Sequence, residues 1–245
     1  MAQASHPSVF TDTSIQFLQE LADNNNREWF TQHKRAYEQV VLAPMRQLLA
    51  TLAPAMLDID PELDVNPRYG AISRVVRDIR FSRDKSPYRV NQWIALKRPE
   101  KDWSTRPAFF MEFSPEGYRY GMGAYAATAA GMRAIRAHIE SAPGKYLQAM
   151  EQARQAGYAV EGDRYKRPRL PEGQPDLILE WYRRKNIYAV INKPLDADFF
   201  SPEFAALLEK AFAAAAPLYH LLLIAKANEQ SPQEKEAKTE QEAAW

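Results

Sequence analysis

One short segment, residues 77–88, carries most of the side chains in this sequence that could bind or transform a charged ligand. It reads Arg-Asp-Ile-Arg-Phe-Ser-Arg-Asp-Lys-Ser-Pro-Tyr. Arginine offers a planar fork of donors that matches carboxylate and phosphate oxygens, and neighbouring aspartates can hold such forks in one orientation. Pro87 restricts the backbone at the end of the segment. We call residues 77–88 the basic loop and predict that it binds a small anionic, phosphate-bearing ligand.

Six side chains of the basic loop are the candidate ligand-binding residues. They are Arg77, Asp78, Arg80, Asp84, Lys85 and Tyr88. The cations would supply charge, the carboxylates would orient them, and the tyrosine would offer its hydroxyl or ring edge. Asp78 could also act as a base if the site is catalytic. From Arg68 to Arg98 there are nine basic and two acidic residues, a local excess of seven positive charges.

Three other interpretations of the basic loop stay open. The first is a purely structural network, in which the two aspartates pair with arginines and bond loop N–H groups that lack sheet partners. The second is a phosphoester-directed hydrolase or transferase, which needs a carboxylate or tyrosine with a shifted pKa in the same pocket. The third is a nucleic-acid or protein interaction module, less favoured, which needs a second basic loop, Tyr165–Pro175, on the same open face.

A glycine motif and the histidines are weaker signals. Gly121–Ala126 matches G-x-G-x-x-A, but two helices are predicted after it, so no dinucleotide-binding βαβ unit is visible. A tight turn that needs glycine for positive φ is the favoured interpretation, although Thr128 could add a hydroxyl to a weak anion site. There are no cysteines, and the four histidines lack metal-type spacing, so no structural zinc is predicted. A carboxylate-bound magnesium ion is left open, and no motif identifies a cofactor.

The elements that must position the basic loop predict an α+β fold. Strands are predicted where β-branched and aromatic residues lie between Pro, Gly and Ser, at Ile72–Val76, Val90–Leu96, Ala108–Phe113, Tyr118–Met122 and Asn186–Asn192. Short connections favour antiparallel pairing, and Ser114–Gly117 suits a hairpin turn. We therefore expect a central antiparallel sheet of about four to five strands covered by N- and C-terminal helices.

Helical spacing of apolar residues predicts the remaining elements. Helices are expected near residues 13–22, 27–52, 128–140, 144–156, 176–184 and 201–225. Residues 1–9 are expected to be a disordered arm, 10–226 a single α+β domain, and 227–245 a disordered polar tail. Oligomeric state is not indicated by any feature.

The amino-acid composition indicates a cellular compartment but no particular binding partner. The 32 basic and 31 acidic residues nearly cancel, so whole-chain charge indicates no particular partner. The lack of cysteine fits a reducing compartment. The N-terminus does not resemble a signal peptide, and the longest uncharged apolar stretch, about 211–225, is short for a bilayer span. We expect a soluble cytoplasmic protein without a membrane partner.

The same residues carry a resemblance to a known family. Asn25–Phe30, the run Arg77–Tyr88, the glycine segment Gly121–Tyr125 and Pro217-Leu218 resemble the motifs of domain of unknown function 2461. The resemblance extends from about Phe10 to Ala225 and implies an α+β domain, mostly bacterial, with no activity or catalytic residues to carry over. It leads us to expect an Asp-His-Pro-like segment after the second basic loop. Residues 173–176 read Gly-Gln-Pro-Asp, so no histidine of that loop can be essential here.

Overall fold

Helices at both ends of the chain flank a set of five strands. The structure is a computed structural model that describes residues 8–67, 70–80, 82–99 and 105–242, with side chains as far as residue 225. In chain order the elements are α1 (Asp12–Asp23), α2 (Arg27–Tyr37), a π-helical segment (Glu38–Leu42), α3 (Ala43–Ile59), β1 (Gln92–Leu96), β2 (Ala108–Ser114), β3 (Gly117–Ala124), α4 (Ala129–Ser141), α5 (Pro143–Gln155), β4 (Ala159–Glu161), α6 (Asp176–Tyr182), β5 (Ile187–Lys193) and α7 (Phe204–Glu242).

The five strands form one open antiparallel sheet in the order β1-β2-β3-β5-β4. The register of the first pair runs from Gln92 opposite Phe113 to Leu96 opposite Phe109. Burial alternates along β2, as expected for a strand with one face on a core. The predicted α+β class with a central antiparallel sheet is confirmed.

The prediction of a strand at Ile72–Val76 is wrong. This segment makes only isolated bridges, Ile72 with Ile94 and Val76 with Tyr88. The side chain of Ser73 explains the interruption, because its Oγ accepts the Trp93 N–H at 3.0 Å that a continuous ladder would give to a backbone carbonyl. Strand β4 was not predicted, since three residues are too few to show a period of two.

The chain divides into two compact units. The first comprises Met1–Pro99, Phe109–Tyr120 and Ile191–Phe212, and the second comprises Glu100–Ala108, Gly121–Val190 and Ala213–Trp245. The expectations of a single domain over 10–226 and of a disordered tail stay predictions. Residues 1–7 of the expected disordered arm lie outside the described residues.

Each unit has its own buried apolar side chains. In the first unit the helices bury leucines and methionines, and a cluster of aromatic rings packs beside them. Its buried members include Leu18, Leu21, Met45, Leu48, Leu52, Phe10, Phe113, Phe199 and Phe204. In the second unit the largest buried side chains are aromatic, among them Tyr146, Trp181 and Tyr219. Burial of these faces is the main contribution to the stability of each unit.

Two helical stretches, Arg27–Ile59 and Phe204–Ala225, are long and apolar enough to span a bilayer by length and composition. Core helices of soluble proteins meet the same criterion, so the two stretches are weak indications of a membrane protein. Helix α3 contains two prolines and buries residues from one face only, as an amphipathic helix of a soluble domain does. The α+β class is shown, and the expectation of a soluble cytoplasmic protein stays a prediction.

Candidate functional site

The two ends of the basic loop are held together by backbone hydrogen bonds. The N–H of Arg77 donates to the carbonyl of Pro87 at 2.9 Å, and the N–H of Arg89 donates to the carbonyl of Val75 at 2.8 Å. Because Pro87 has no backbone N–H, it takes part in these hydrogen bonds only through its carbonyl oxygen. The loop is therefore closed like a hairpin, and its polar side chains project from a fixed base.

Asn25, from the junction of α1 and α2, clamps the base of the loop. Its Nδ2 donates to the Tyr88 carbonyl at 3.0 Å, and its Oδ1 accepts from the Tyr88 N–H at 3.0 Å. A side-chain amide has one donor and one acceptor end, so it can satisfy both backbone groups of one residue. This contact joins positions 63 residues apart in the sequence.

The run Asn24-Asn25-Asn26 gives each asparagine a separate role. Asn24 ends α1, because its N–H and its Nδ2 both donate to the Glu20 carbonyl. Asn26 caps α2 by accepting from the Trp29 N–H at 2.9 Å. The short asparagine side chain suits all three positions, since it bonds nearby backbone groups outside regular helix geometry.

Stacked rings complete the anchorage of the loop. The ring of Phe30, on α2, stacks on Tyr88 with centroids 4.2 Å apart and planes inclined by 26°. Tyr88 is 9% exposed. Its ring therefore serves to hold the loop, and the expected contact of its hydroxyl or ring edge with a ligand stays a prediction.

Both aspartates of the loop pair with arginines. Arg77 forms a salt bridge with Asp84 and donates to the Ser82 hydroxyl at 3.3 Å. Asp84 also accepts the Ser86 N–H at 2.9 Å. Arg80 embraces Asp78 with two parallel bonds, from Nε at 3.0 Å and from Nη2 at 2.7 Å. Asp84 therefore holds the guanidinium of Arg77 in one orientation, and Asp78 holds that of Arg80.

The pKa of each aspartate is held near 2. For Asp78 the side-chain hydrogen bond from Arg80 lowers the pKa to about 2, assisted by the Arg80 N–H. For Asp84 hydrogen bonds from Ser86 are the main cause of a pKa of about 2, and Arg77 adds to them. Both carboxylates are therefore fully ionised at neutral pH and are weak proton acceptors.

The remaining cations of this region lie at the surface. Lys85 donates from Nζ to the Ile79 carbonyl at 2.9 Å. Arg74 and Arg83 are exposed and form no ion pair with any described residue. The Arg89 guanidinium lies over the Trp93 ring, 5.0 Å from its centroid. The loop thus presents more positive charge than its two aspartates neutralise.

The basic loop does not line either of two cavities of about 300 Å³ in the described structure. One of about 330 Å³ lies in the second unit. The other, about 310 Å³ and wide open, lies in the first unit beside the β2–β3 hairpin. Of the candidate residues, Asp78, Arg80, Asp84 and Lys85 are exposed, Arg77 is half-buried and Tyr88 is buried. Within the described ranges no three histidine or carboxylate side chains group together as a metal site would require.

The glycine motif has a strand role. Gly121 and Gly123 lie within β3, so the favoured tight turn is wrong. A β-carbon at Gly121 would lie 2.1 Å from the Ala189 carbonyl oxygen of β5, which leaves no room for a side chain. Thr128, considered as a ligand contact, caps α4 by accepting from the Gly131 N–H at 2.9 Å.

The motifs described above lie within a match to a known protein family. A model described as a conserved hypothetical protein, domain of unknown function 2461, matches residues 13–221. The chain belongs to this family. The match of domain of unknown function 2461 includes Asn25, the whole basic loop and the glycines of β3. None of the curated proteins compared with the chain matches it.

Asn25 and Phe30 are the site residues whose role the sequence did not reveal. Both lie in the segment Asn25–Phe30, which resembles a motif of the family, but nothing in the sequence pairs either residue with the basic loop. The available signal was the presence of Asn25 directly before Asn26, because Asn26 alone is sufficient to cap α2. The partner of that asparagine, Tyr88, could not be identified without the fold.

Proposed function

We propose that this chain binds a small anionic, phosphate-bearing ligand at the basic loop, in the cytoplasm. The observation that supports this proposal most is the excess of positive charge on a loop whose two ends are fixed. From Arg74 to Arg89 six cations accompany two carboxylates, and both carboxylates are already paired. The unmatched cations repel one another, and a bound anion relieves that repulsion.

The state of the aspartates supports binding over catalysis by a general base. A base that works near neutral pH needs a pKa near that pH. Asp78 and Asp84 have pKa values of about 2, so neither would remove a proton from water or a hydroxyl efficiently. Their role in the proposal is to hold Arg80 and Arg77 in one orientation. The hydrolase or transferase interpretation is correspondingly less favoured.

Exposure of the loop favours a second candidate, an extended polyanion such as single-stranded nucleic acid. The Arg80 side chain is 77% exposed, and Arg89 stacks on Trp93 at the edge of the same region. Arginine and aromatic side chains together suit sugar–phosphate chains and bases. Such a ligand would bind with a strong dependence on salt concentration, unlike a single phosphate group.

A thermal scan tests the proposal. The protein is melted with inorganic phosphate, sulfate and a panel of mononucleotides, at constant ionic strength set with sodium chloride. A ligand at 100 times its Kd adds about 2.7 kcal/mol to the free energy of unfolding, which corresponds to about 5–10 °C in Tm for a chain of this size. We expect a rise of this order with at least one phosphate compound.

Two variants locate the effect, and a third tests the stability of the ligand-free protein. Arg83→Gln removes an exposed cation of the loop and should reduce the ligand-induced rise in Tm. Lys145→Gln removes an exposed cation on α5 and should leave that rise unchanged. Arg80→Ala should keep the ligand-free Tm close to that of the parent, because its pair with Asp78 is exposed to water. Equal shifts in the Arg83 and Lys145 variants, or no shift with any compound, would refute the site.

A further inference from the structure

The second unit contains a cavity that no part of the proposed function uses. Its volume is about 330 Å³, within the range of small-molecule sites. Residues of α5, α6, β4 and β5 contribute to its lining, together with Leu218 of α7. Several separated helices and strands therefore converge on one partly enclosed space.

The wall of the cavity is apolar and well packed. Trp181 and Leu218 are each 1% exposed, and Met150 is 4% exposed. Trp181 also contacts Tyr146 edge to face, with ring centroids 6.5 Å apart. Large buried side chains of this kind form a preformed apolar surface. An apolar group that binds there is removed from water, and the side chains that line the cavity lose little conformational entropy because they are already ordered.

Backbone pairing places two arginines opposite each other at the rim. The Tyr165 N–H donates to the Arg183 carbonyl at 2.9 Å, and the Lys185 N–H donates to the Asp163 carbonyl at 2.7 Å. Arg164 and Arg184 form the bridge between these bonds. Directly opposed residues of antiparallel segments share a face, and like charges in this position repel.

A single carboxylate serves three arginines at this rim. Glu180 accepts from Arg164 Nη2 at 2.7 Å, from Arg183 Nη1 at 2.7 Å and from Arg184 Nη2 at 3.3 Å. Burial alone would raise the pKa of Glu180, but the arginines hold its pKa below the ordinary value. Three positive charges and one negative charge leave an excess of two beside the cavity.

Two of the three arginines that line the cavity, Arg164 and Arg184, differ in freedom. Arg184 donates to the carbonyls of Gly162 at 2.7 Å and Val160 at 2.8 Å, so its guanidinium is fixed. Arg164 is 57% exposed, and Glu180 is its ion-pair partner among the described residues. The Arg164 guanidinium can therefore turn toward an anion at the mouth, while Arg184 and Glu180 keep the rim in shape.

We propose that this cavity binds a small amphipathic anion, with its apolar or aromatic body against Trp181 and its carboxylate or phosphate group against Arg164. A volume of about 330 Å³ holds about ten waters at the liquid share of about 30 Å³ each, so the occupant has about ten non-hydrogen atoms. Apolar walls give affinity for the body, and the excess charge selects the sign of the head group.

This inference does not depend on the proposed function of the basic loop. Arg164 and Trp181 belong to the second unit, and the basic loop belongs to the first. A ligand of the loop needs phosphate oxygens alone, whereas a ligand of the cavity needs both an apolar body and a negative charge. The two sites therefore predict different responses to inorganic phosphate.

Calorimetric titration with four probes tests the inference. Phenyl phosphate and benzoate combine a ring with an anion, benzyl alcohol has the ring without charge, and inorganic phosphate has the charge without a ring. We expect one-to-one binding of at least one ring-bearing anion with a Kd below about 1 mM. Benzyl alcohol and inorganic phosphate should bind at this cavity at least tenfold more weakly.

Matched variants assign the binding to the cavity. Arg164→Gln should weaken the binding of phenyl phosphate and benzoate about tenfold or more. Arg167→Gln removes the same charge three residues away, at an exposed position outside the lining, and should change nothing. Arg83→Gln in the basic loop should likewise leave the binding of benzoate, which has no phosphate group, unchanged. Ala153→Met, which fills the cavity from α5, should abolish it.

Several results would overturn the inference. No binding of either ring-bearing anion up to about 10 mM would show that the cavity is a water-filled gap. Equal affinity for benzyl alcohol would show a purely apolar cavity without recognition of charge. An Arg164 variant with the parent affinity, or equal losses in the Arg164 and Arg167 variants, would remove the rim from the site. Loss of benzoate binding in the Arg83 variant would reassign that binding to the basic loop.

Discussion

Replacement of Asn25 by aspartate tests how the basic loop is held. In Asn25→Asp the acceptor for the Tyr88 N–H survives, but the donor to the Tyr88 carbonyl is lost. Above its pKa the new carboxylate also faces that carbonyl at about the distance of a hydrogen bond. An unsatisfied, partly buried carbonyl costs about 1–3 kcal/mol. The Tm at pH 7.5 should therefore fall by about 3–10 °C.

The same variant should recover at low pH. A protonated carboxyl group has one donor and one acceptor end, as the asparagine amide does. The carbonyl of Tyr88 favours that neutral form, so the folded-state pKa of the introduced carboxyl group lies above the ordinary aspartate value of about 3.9. The folded state then binds the proton more tightly than the unfolded state. Stability relative to the parent must rise as pH falls from that folded pKa toward about 3.9.

Urea unfolding of the parent, Asn25→Asp and Asn25→Ala at pH 7.5, 5.5 and 4.5 measures this difference. Subtracting the parent at each pH removes the acid destabilisation that all three proteins share. The alanine variant lacks the titrating group, so its deficit should stay constant across the series. A constant deficit for the aspartate variant, or no deficit for either variant at pH 7.5, would refute the clamp.

Three further outcomes follow from other contacts. Arg98→Ala should cost about 3 kcal/mol in urea unfolding, since it removes the ion-pair partner of the Asp60 carboxylate, which is 2% exposed and accepts from Arg98 Nε at 2.8 Å; a loss below about 1 kcal/mol would contradict this stabilising pair. Gly121→Ala should destabilise strongly because its β-carbon would meet the backbone of β5, whereas Gly144→Ala, with open space around it, should be neutral or stabilising; equal effects would refute the close approach. Burial raises the pKa of Tyr37 to about 12, so the stability that this group leaves intact below pH 10 should decline as pH rises from 10 toward 12. Because burial also raises the pKa of other tyrosines, such as Tyr182, Tyr37→Phe should remove part of that decline in alkaline urea titrations.

Local chemistry made the sheet and most helices predictable. The hairpin between β2 and β3 was expected from Pro115 and Gly117, and the strands match their predicted ranges within two residues or so. These elements depend on neighbours in the sequence, which a pattern can report. The segment around Ser73 failed because a side-chain oxygen replaced a backbone acceptor, and no periodicity records such a substitution.

The sites were predictable only in part. Charge and spacing identified the pairing of the loop arginines with Asp78 and Asp84, because partners two to seven residues apart meet within one loop. The clamp by Asn25 crosses 63 residues, and the cavity at Trp181 is assembled from several separate helices and strands. Contacts of this range depend on the tertiary fold, which a single sequence does not display.

The clamp at Asn25 also bears on the order of events in folding. Its two hydrogen bonds require closure of a segment of 63 residues, at an entropic cost of about 4 kcal/mol from the logarithmic dependence on loop length. Because closure of a long segment must come before such a contact stabilises the protein, we expect this contact to form late in folding. A peptide that contains the basic loop alone would lack the N-terminal helices that close it. Competence to bind at the loop would therefore appear only after those helices have docked, and binding would report completed folding of the first unit.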